Sequence, residues 1–205
     1  MKQLLLATTN QAKLKELKSG CKKLEKHGVK ILTLSDLSIT KDVEETGKTF
    51  KENAKIKACF FGKLTNIPTI ADDGGLLINV LNGKPGVKSK RWLGRDASDN
   101  ELIKYTLKRL KGLKNKKRTA YLQTCICFFN PANKKTVYEE ENIKGYMAEK
   151  PTKNFIKGFP YRALFIVNKF NKYYDELTSK ENTQINHRLI ALKKLILKIK
   201  PYLLK

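Results

Sequence analysis

Four apolar residues, Leu4-Leu5-Leu6-Ala7, stand between polar Lys2-Gln3 and Thr8-Thr9-Asn10, and apolar side chains then recur at Leu14, Leu17, Cys21 and Leu24. The first run has the length of a strand. The second repeats at the three- and four-residue steps of a one-sided helix. A buried strand feeding straight into an amphipathic helix commits the start of the chain to an α/β arrangement. The opening run is too short for a signal peptide or a bilayer crossing, and no later stretch is long and apolar enough to span a membrane. We therefore expect no membrane partner and a cytoplasmic location.

The rest of the chain extends this pattern. Val29 to Leu34 reads as a second strand and Asp42 to Lys48 as an acidic loop. Thr49 with Glu52 forms a capping box that predicts a helix from about Phe50 to Leu64. Pro68 to Ala71 reads as a short strand ending at Asp72-Asp73-Gly74-Gly75, with Leu76 to Leu81 continuing extended. Asn82-Gly83 marks a hairpin-type turn. Ser98 with Glu101 opens a helix carrying Leu102, Tyr105, Leu110 and Leu113. Thr119 to Phe129 and Thr136 to Ala148 predict strands joined by an Asn-Pro turn, and Phe159 to Val167 a further strand. Thr178 with Glu181 caps a last helix whose apolar face is Ile185, Leu189, Leu192, Ile196 and Ile199. Helices mix with hairpin-like strands, so the order predicts a mixed α/β sheet flanked by helices, not a strictly alternating one. With no repeat, linker or low-complexity tract, the 205 residues fit one domain over 1–205.

Composition decides which partners to expect. The net charge of +24 would attract any polyanion. Lys outnumbers Arg several-fold, however, and a dedicated nucleic-acid reader leans on Arg for bidentate and stacking contacts. We read the charge as a solvated surface, the dense run Lys114 to Arg118 as a solvated loop, and expect no nucleic-acid partner. The four Cys form no Cys-x-x-Cys pair, and His27 and His187 are too distant to complete a zinc spacing. They read as reduced thiols.

Three segments concentrate the unusual residues. Thr8, Thr9, Asn10 and Lys13 lie at the first strand-to-helix junction, where backbone N–H groups, hydroxyls and an ammonium can together hold a triphosphate. The Gly-x-x-x-x-Gly-Lys pattern of a P-loop is missing. Two acidic pairs, Glu44-Glu45 and Asp72-Asp73, stand out in so basic a chain. Hard oxygen ligands suit Mg²⁺, and a carboxylate there could take a proton from an attacking water. A solvated loop and a turn cap explain the same residues, and both readings stay open at this point. The third segment is Asn186-His187-Arg188, with Gly158-Phe159-Pro160-Tyr161-Arg162 upstream. Aromatic faces plus fixed donors are what a nucleobase pocket needs.

Together these segments resemble the inosine triphosphate pyrophosphatase family, which hydrolyses ITP, XTP and their deoxy forms. Ala7-Thr8-Thr9-Asn10-Gln11-Ala12-Lys13 is similar to its phosphate-binding start, and Glu45-Thr46-Gly47-Lys48-Thr49-Phe50-Lys51-Glu52-Asn53-Ala54 to its second motif. Ala71-Asp72-Asp73-Gly74-Gly75-Leu76, extended by Gly83-Lys84-Pro85-Gly86-Val87-Lys88-Ser89, resembles the third, and Asn186-His187-Arg188 the closing one. The matches are collinear and cover nearly the whole chain. The resemblance implies an elongated mixed sheet with two lobes and an active-site cleft between them, a nucleoside triphosphate substrate, a Mg²⁺ cofactor and a homodimer. It implies that Glu45 binds the metal, that Asp73 shares the metal and accepts the proton of the attacking water, and that Lys13 and Lys57 neutralise phosphate charge. Thr8, Thr9 and Asn10 would position the phosphates. Attack at the α-phosphorus would give a monophosphate and pyrophosphate.

The chain also departs from the family pattern. Gly74 stands where Ser is usual, Phe159-Pro160-Tyr161-Arg162-Ala163 replaces a Phe-Gly-Tyr/Trp-Asp-Pro loop, and Asn182 aligns with a base-site lysine. The altered half is the one that would recognise the base. We expect Phe159 to stack on the base, with Arg188 and Arg162 donating to a purine carbonyl beside Pro160, Tyr161, Asn182 and His187. Two other readings compete: a related Maf-type pyrophosphatase acting on other nucleotides, and a catalytically silent nucleotide- or RNA-binding protein, which would have no need of both Glu45 and Asp73.

Overall fold

The computed structural model describes residues 2–114 and 117–204, and among these residues seven strands form one mixed sheet. They are β1 (Lys2–Leu6), β2 (Val29–Thr33), β3 (Thr69–Ile78), β4 (Thr119–Asn130), β5 (Lys135–Met147), β6 (Phe165–Val167) and β7 (Lys172–Tyr173). Their order is β2-β1-β3-β4-β5-β6-β7. β1 runs parallel to β2 and β3, with Leu5 opposite Leu32 and Thr69, whereas β6 is antiparallel to β5 and β7. The helices are α1 (Gln11–Glu25), α2 (Phe50–Thr65), α3 (Asp99–Arg109), α4 (Ser179–Ile185) and α5 (His187–Leu204). The expected mixed sheet flanked by helices is the observed architecture. No helix among the described residues is long and apolar enough to cross a membrane.

The chain divides into two compact units. The first holds residues 1–73, 124–141 and 188–205, and the second 74–123 and 142–187. In the first unit, Leu14, Leu17, Cys21 and Leu24 of α1 are all buried with Leu4, Leu6, Ile70, Phe128, Leu192 and Ile199. Burial of each such side chain contributes about 1.5–3 kcal/mol. The second unit has its own core, in which Leu76, Ile78, Leu102 and Leu110 pack with Phe165, Val167 and Tyr174.

Local chemistry accounts for the places where the elements differ from the sequence reading. β3 runs unbroken through Asp72-Asp73-Gly74-Gly75, where the sequence suggests a strand end, and gives way to a 3₁₀ turn at Asn79–Leu81. Gly75 serves a close approach instead: a Cβ on it would lie 2.1 Å from Ser89 Oγ. Pro160 turns the expected strand start into a 3₁₀ helix over Pro160–Ala163, since proline supplies helical φ and no N–H for a ladder. The expected last helix is two, broken at Asn186 with ψ of 95°. The capping boxes of Ser98 and Thr178 are complete. At Thr49 only half forms, because Glu52 Oε2 accepts from the N–H of Lys48 at 2.6 Å.

Residues 115 and 116 of the basic run fall outside the described residues. Arg118, read as part of a solvated loop, is buried, and its guanidinium donates to the carbonyls of Met147, Leu110 and Ala148 at 2.6–3.0 Å.

Candidate active site

The β1–α1 junction forms as its polar residues suggest. Asn10 caps α1, its Oδ1 accepting the N–H of Lys13 at 3.0 Å, while its own N–H donates to Thr8 Oγ1 at 3.3 Å. Thr9 is exposed. One turn into α1, the Lys13 ammonium pairs with Asp72 Oδ2 at 3.3 Å.

Asp72 and Asp73 are successive strand residues, so their side chains leave β3 on opposite faces. Asp72 is fully buried between two cations, Lys13 and Arg188, the latter donating its Nε–H at 2.9 Å. Burial alone would raise the Asp72 carboxyl, but Lys13, Arg188 and Lys57 outweigh it and hold the group well below the usual carboxylate range. Arg188 also donates from Nη1 to Glu16 Oε2 at 2.6 Å. Asp72 Oδ1 is buried and meets no hydrogen-bond donor among the described residues.

Asp73 faces α2. Asn53 and Lys57, four residues apart, share one side of that helix. Asn53 Nδ2 donates to Asp73 Oδ2 at 3.1 Å, and Lys57 Nζ lies 3.8 Å from Asp73 Oδ1. The same ammonium donates to Glu45 Oε1 at 2.7 Å. Burial raises the Asp73 carboxyl against the pull of Lys57 and Lys13, with Glu45 adding to the rise. Burial by itself lowers Lys57, but Asp73, Glu45 and Asp72 more than offset it and raise the group, whereas burial lowers Lys13 despite Asp72. Two neighbouring carboxylates therefore differ in kind: Asp72 is held as an anion and Asp73 is made a better proton acceptor.

The Asn53 amide ties the acidic loop to this cluster as well. Its Oδ1 accepts the N–H of Gly47 at 2.8 Å, and a Cβ on Gly47 would lie 2.5 Å from that oxygen. Neither Asn53 nor Glu16 stands out in the sequence as a functional residue. A buried Asn on the apolar stripe of α2, beside Phe50, Ala54, Ala58 and Phe61, is the one signal that could have singled out Asn53. Glu16, three residues beyond Lys13, gives no such sign.

A divalent cation fits this donor set. Glu45 and Asp73 already reach one positive point charge, the Lys57 ammonium, and both offer the hard oxygens that Mg²⁺ prefers. Among the described residues no group of three or more His, Cys, Asp and Glu forms a cage.

The base-site candidates all lie in the second unit, apart from Arg188. Tyr161 is buried, and its hydroxyl donates to the Ser89 carbonyl at 2.5 Å. Arg162 is only 4% exposed, so it does not point to solvent, and its guanidinium lies over the rings of Phe159 at 3.6 Å and Tyr174 at 4.3 Å. Tyr174 meets the His187 ring edge-on at 6.2 Å. Asn182 accepts from Asn186 Nδ2 at 3.2 Å, and Gly74 and Pro160 are half-buried. Arg188 has its Nε and Nη1 donors turned to Asp72 and Glu16, a different commitment from the base contact expected of it.

The fold and the site define an open mixed-sheet α/β protein with a largely buried lysine–carboxylate cluster around β3. The chain belongs to the Ham1 family, whose model matches residues 4–198. It is 41% identical to the dITP/XTP pyrophosphatase of Bacillus subtilis over 95% of this chain and 96% of that one. To the protein of the same name from Thermoanaerobacter pseudethanolicus it is 38% identical, over 99% and 97%. Among solved structures, a HAM1 protein from Coxiella burnetii superposes with a TM-score of 0.84 at 34% identity, covering 98% of this chain and 100% of that one. The Staphylococcus aureus Ham1 protein gives 0.82 at 30% identity, with the same coverage.

Proposed function

We propose that this protein hydrolyses deaminated purine nucleoside triphosphates (ITP, dITP and XTP) to the monophosphate and pyrophosphate, with Mg²⁺, and so clears aberrant purines from the nucleotide pool. The observation that carries this reading is the meeting of Lys13, Glu45, Lys57, Asp72, Asp73 and Arg188, drawn from distant segments, in one charged cluster whose Asp72, Asp73 and Arg188 are buried. The names borne by the Bacillus and Thermoanaerobacter relatives support the same reaction class.

In this reading Lys13 and Lys57 neutralise the triphosphate, with Thr8, Thr9, Asn10 and the N–H groups at the start of α1 orienting it. Asp73 takes a proton from the water whose oxygen forms the new bond to the α-phosphorus, and the α–β anhydride bond breaks to release pyrophosphate. Glu45 and Asp73 would hold the Mg²⁺, which supplies electrostatic stabilisation of charge developing on the phosphate oxygens. Asp72 keeps Lys13 and Arg188 in place. Phe159 offers the base a stacking face, flanked by Pro160, Tyr161, Arg162, His187 and Asn182. We further propose a cytoplasmic homodimer. The free thiols Cys21, Cys59, Cys125 and Cys127 support a reducing compartment, and light scattering in solution tests the dimer.

Pyrophosphate release from ITP, XTP, GTP and ATP, with and without Mg²⁺, tests the function, with Asp73→Asn alongside. Hydrolysis of ITP and XTP well above ATP, dependent on Mg²⁺ and lowered about 10²- to 10⁴-fold in the variant, is expected. Equal rates on all four nucleotides would reject the substrate class, and full activity of Asp73→Asn would reject the assigned proton acceptor.

A further inference from the structure

The stack at Phe159 is built by a residue the chemistry above leaves without a task. Arg162 is almost completely buried, and its guanidinium lies over both the Phe159 and Tyr174 rings, at 3.6 and 4.3 Å. Exposure rises along the series, from Tyr174 at 1%, through Arg162 at 4%, to a half-buried Phe159. The Tyr174 ring in turn meets His187 at the start of α5.

The backbone reinforces this arrangement. Phe159 precedes Pro160, which narrows its own conformational choices. The Arg162 N–H closes the turn onto the Phe159 carbonyl at 3.0 Å. Ring and guanidinium are thus joined twice, once through the turn and once through the stack. A planar guanidinium can lie flat on an aromatic face, which an ammonium cannot do. The Arg162 guanidinium is set over two protein rings and is only 4% exposed.

We infer that Arg162 is a positioning residue that holds the Phe159 ring as a preformed platform for the purine, and that it does not read the base's substituents. The inference rests on the reading of Phe159 as the stacking face. A platform binds every purine by its ring, so it stabilises ground state and transition state alike and acts on KM, not kcat. A residue that donated to a purine carbonyl would instead separate ITP from ATP.

The test is a panel of Arg162→Met, Arg162→Lys, Phe159→Ala and the Phe159→Ala/Arg162→Met double variant, assayed on ITP, XTP, GTP and ATP, with thermal melts to establish folding. Arg162→Met is expected to raise KM for all four nucleotides by one common factor, about 3- to 10-fold, with kcat unchanged. Arg162→Lys keeps the charge but not the flat face, and should raise KM similarly. The double variant should be no worse than Phe159→Ala alone, because both changes remove the same platform. A shifted ITP-to-ATP preference in Arg162→Met, or factors that multiply in the double variant, would overturn the inference. Should Arg162→Met fail to fold, an unchanged KM in Arg162→Lys overturns it equally. If Phe159→Ala leaves KM untouched, it is the stacking reading of Phe159 that fails, an outcome distinct from failure of Arg162 alone.

Discussion

The guanidinium of Arg188 reaches across 116 residues of sequence to donate its Nε–H to Asp72 Oδ2 at 2.9 Å, while its Nη1 holds Glu16. Both ends of the Asp72 pair are buried, so the contact cannot be judged as a surface ion pair. Removing Arg188 leaves a carboxylate in the interior with Lys13 as its ion-pair partner and Lys57 acting at longer range. Arg188→Ala should therefore lower unfolding free energy by about 3–5 kcal/mol, whereas replacing both Arg188 and Asp72 with apolar residues should cost less than the sum of the two single changes. Urea unfolding of the three variants checks this. Additive losses would mean that the two residues act independently.

Asn53 joins the acidic loop to the proposed proton acceptor through one amide, which donates to Asp73 Oδ2 and accepts from Gly47 N–H. It touches no reacting atom in the proposed chemistry, yet it fixes the carboxylate that does. Supports of this kind typically change activity or metal affinity about 10- to 100-fold, and we expect Asn53→Ala to lose activity in that range. Because Gly47 and Asp73 both lose a partner, the Mg²⁺ concentration for half-maximal rate should rise as well. A normal rate with a normal Mg²⁺ requirement would reduce Asn53 to a packing residue.

What the sequence made legible, and what it hid, divides along the range of the contacts. α1, α2 and the apolar strands were readable because their signals are local: the spacing of Leu14, Leu17, Cys21 and Leu24, or Thr49 at the start of α2. The collinear motifs brought Lys13, Glu45, Asp72 and Asp73 to notice, and all four contact Lys57 or each other in the folded chain. Glu16 and Asn53 stayed hidden because their partners lie 172 and 20 residues away; Glu16 has no mark in its own segment, and Asn53 only its place on the apolar stripe of α2. The Arg162 stack was missed for a similar reason. Substitution of a usual acidic position by Arg suggested a donor to the base, but Tyr174, which shares its guanidinium, comes from a separate segment.

Gly74-Gly75 was misread for the opposite reason, a local signal that was real but whose cause is distant. Gly75 lies in strand, and it is glycine because Ser89 crosses it: Ser89 Oγ accepts the Leu76 N–H at 3.2 Å and donates to the Gly86 carbonyl at 2.6 Å. A methyl group on Gly75 would fall 2.1 Å from Ser89 Oγ, 2.9 Å from its Cβ and 3.0 Å from the Gly86 carbonyl. Gly75→Ala should destabilise by about 1–3 kcal/mol, the usual cost of overpacking. Adding Ser89→Gly removes two of the three clashes and should recover part of that loss. Chemical denaturation of the single and double variants decides it, and an unperturbed Gly75→Ala would show that the 86–91 turn can move aside.

Asp72 and Asp73 should leave opposite marks on the pH dependence of stability. The Asp72 carboxyl is held well below its unfolded value of about 3.9, so the stability it contributes is fully present above that value and is lost as pH falls through the folded one. Asp73 is raised, so the folded state keeps its proton longer than the unfolded chain does. Between the unfolded value and the raised folded value, its contribution weakens stability as pH increases. The two windows meet near pH 4: Asp72 acts below it and Asp73 above it. Asp72→Asn should therefore flatten the acid limb of the stability profile below pH 4, by at most about 1.4 kcal/mol per pH unit, while Asp73→Asn should remove a decline on the other side. Urea unfolding from pH 3 to 7, without Mg²⁺, separates the two. An acid limb in Asp72→Asn as steep as in the parent protein would mean that other carboxylates govern acid unfolding, and that the buried pairing with Lys13 and Arg188 does not hold Asp72 as an anion.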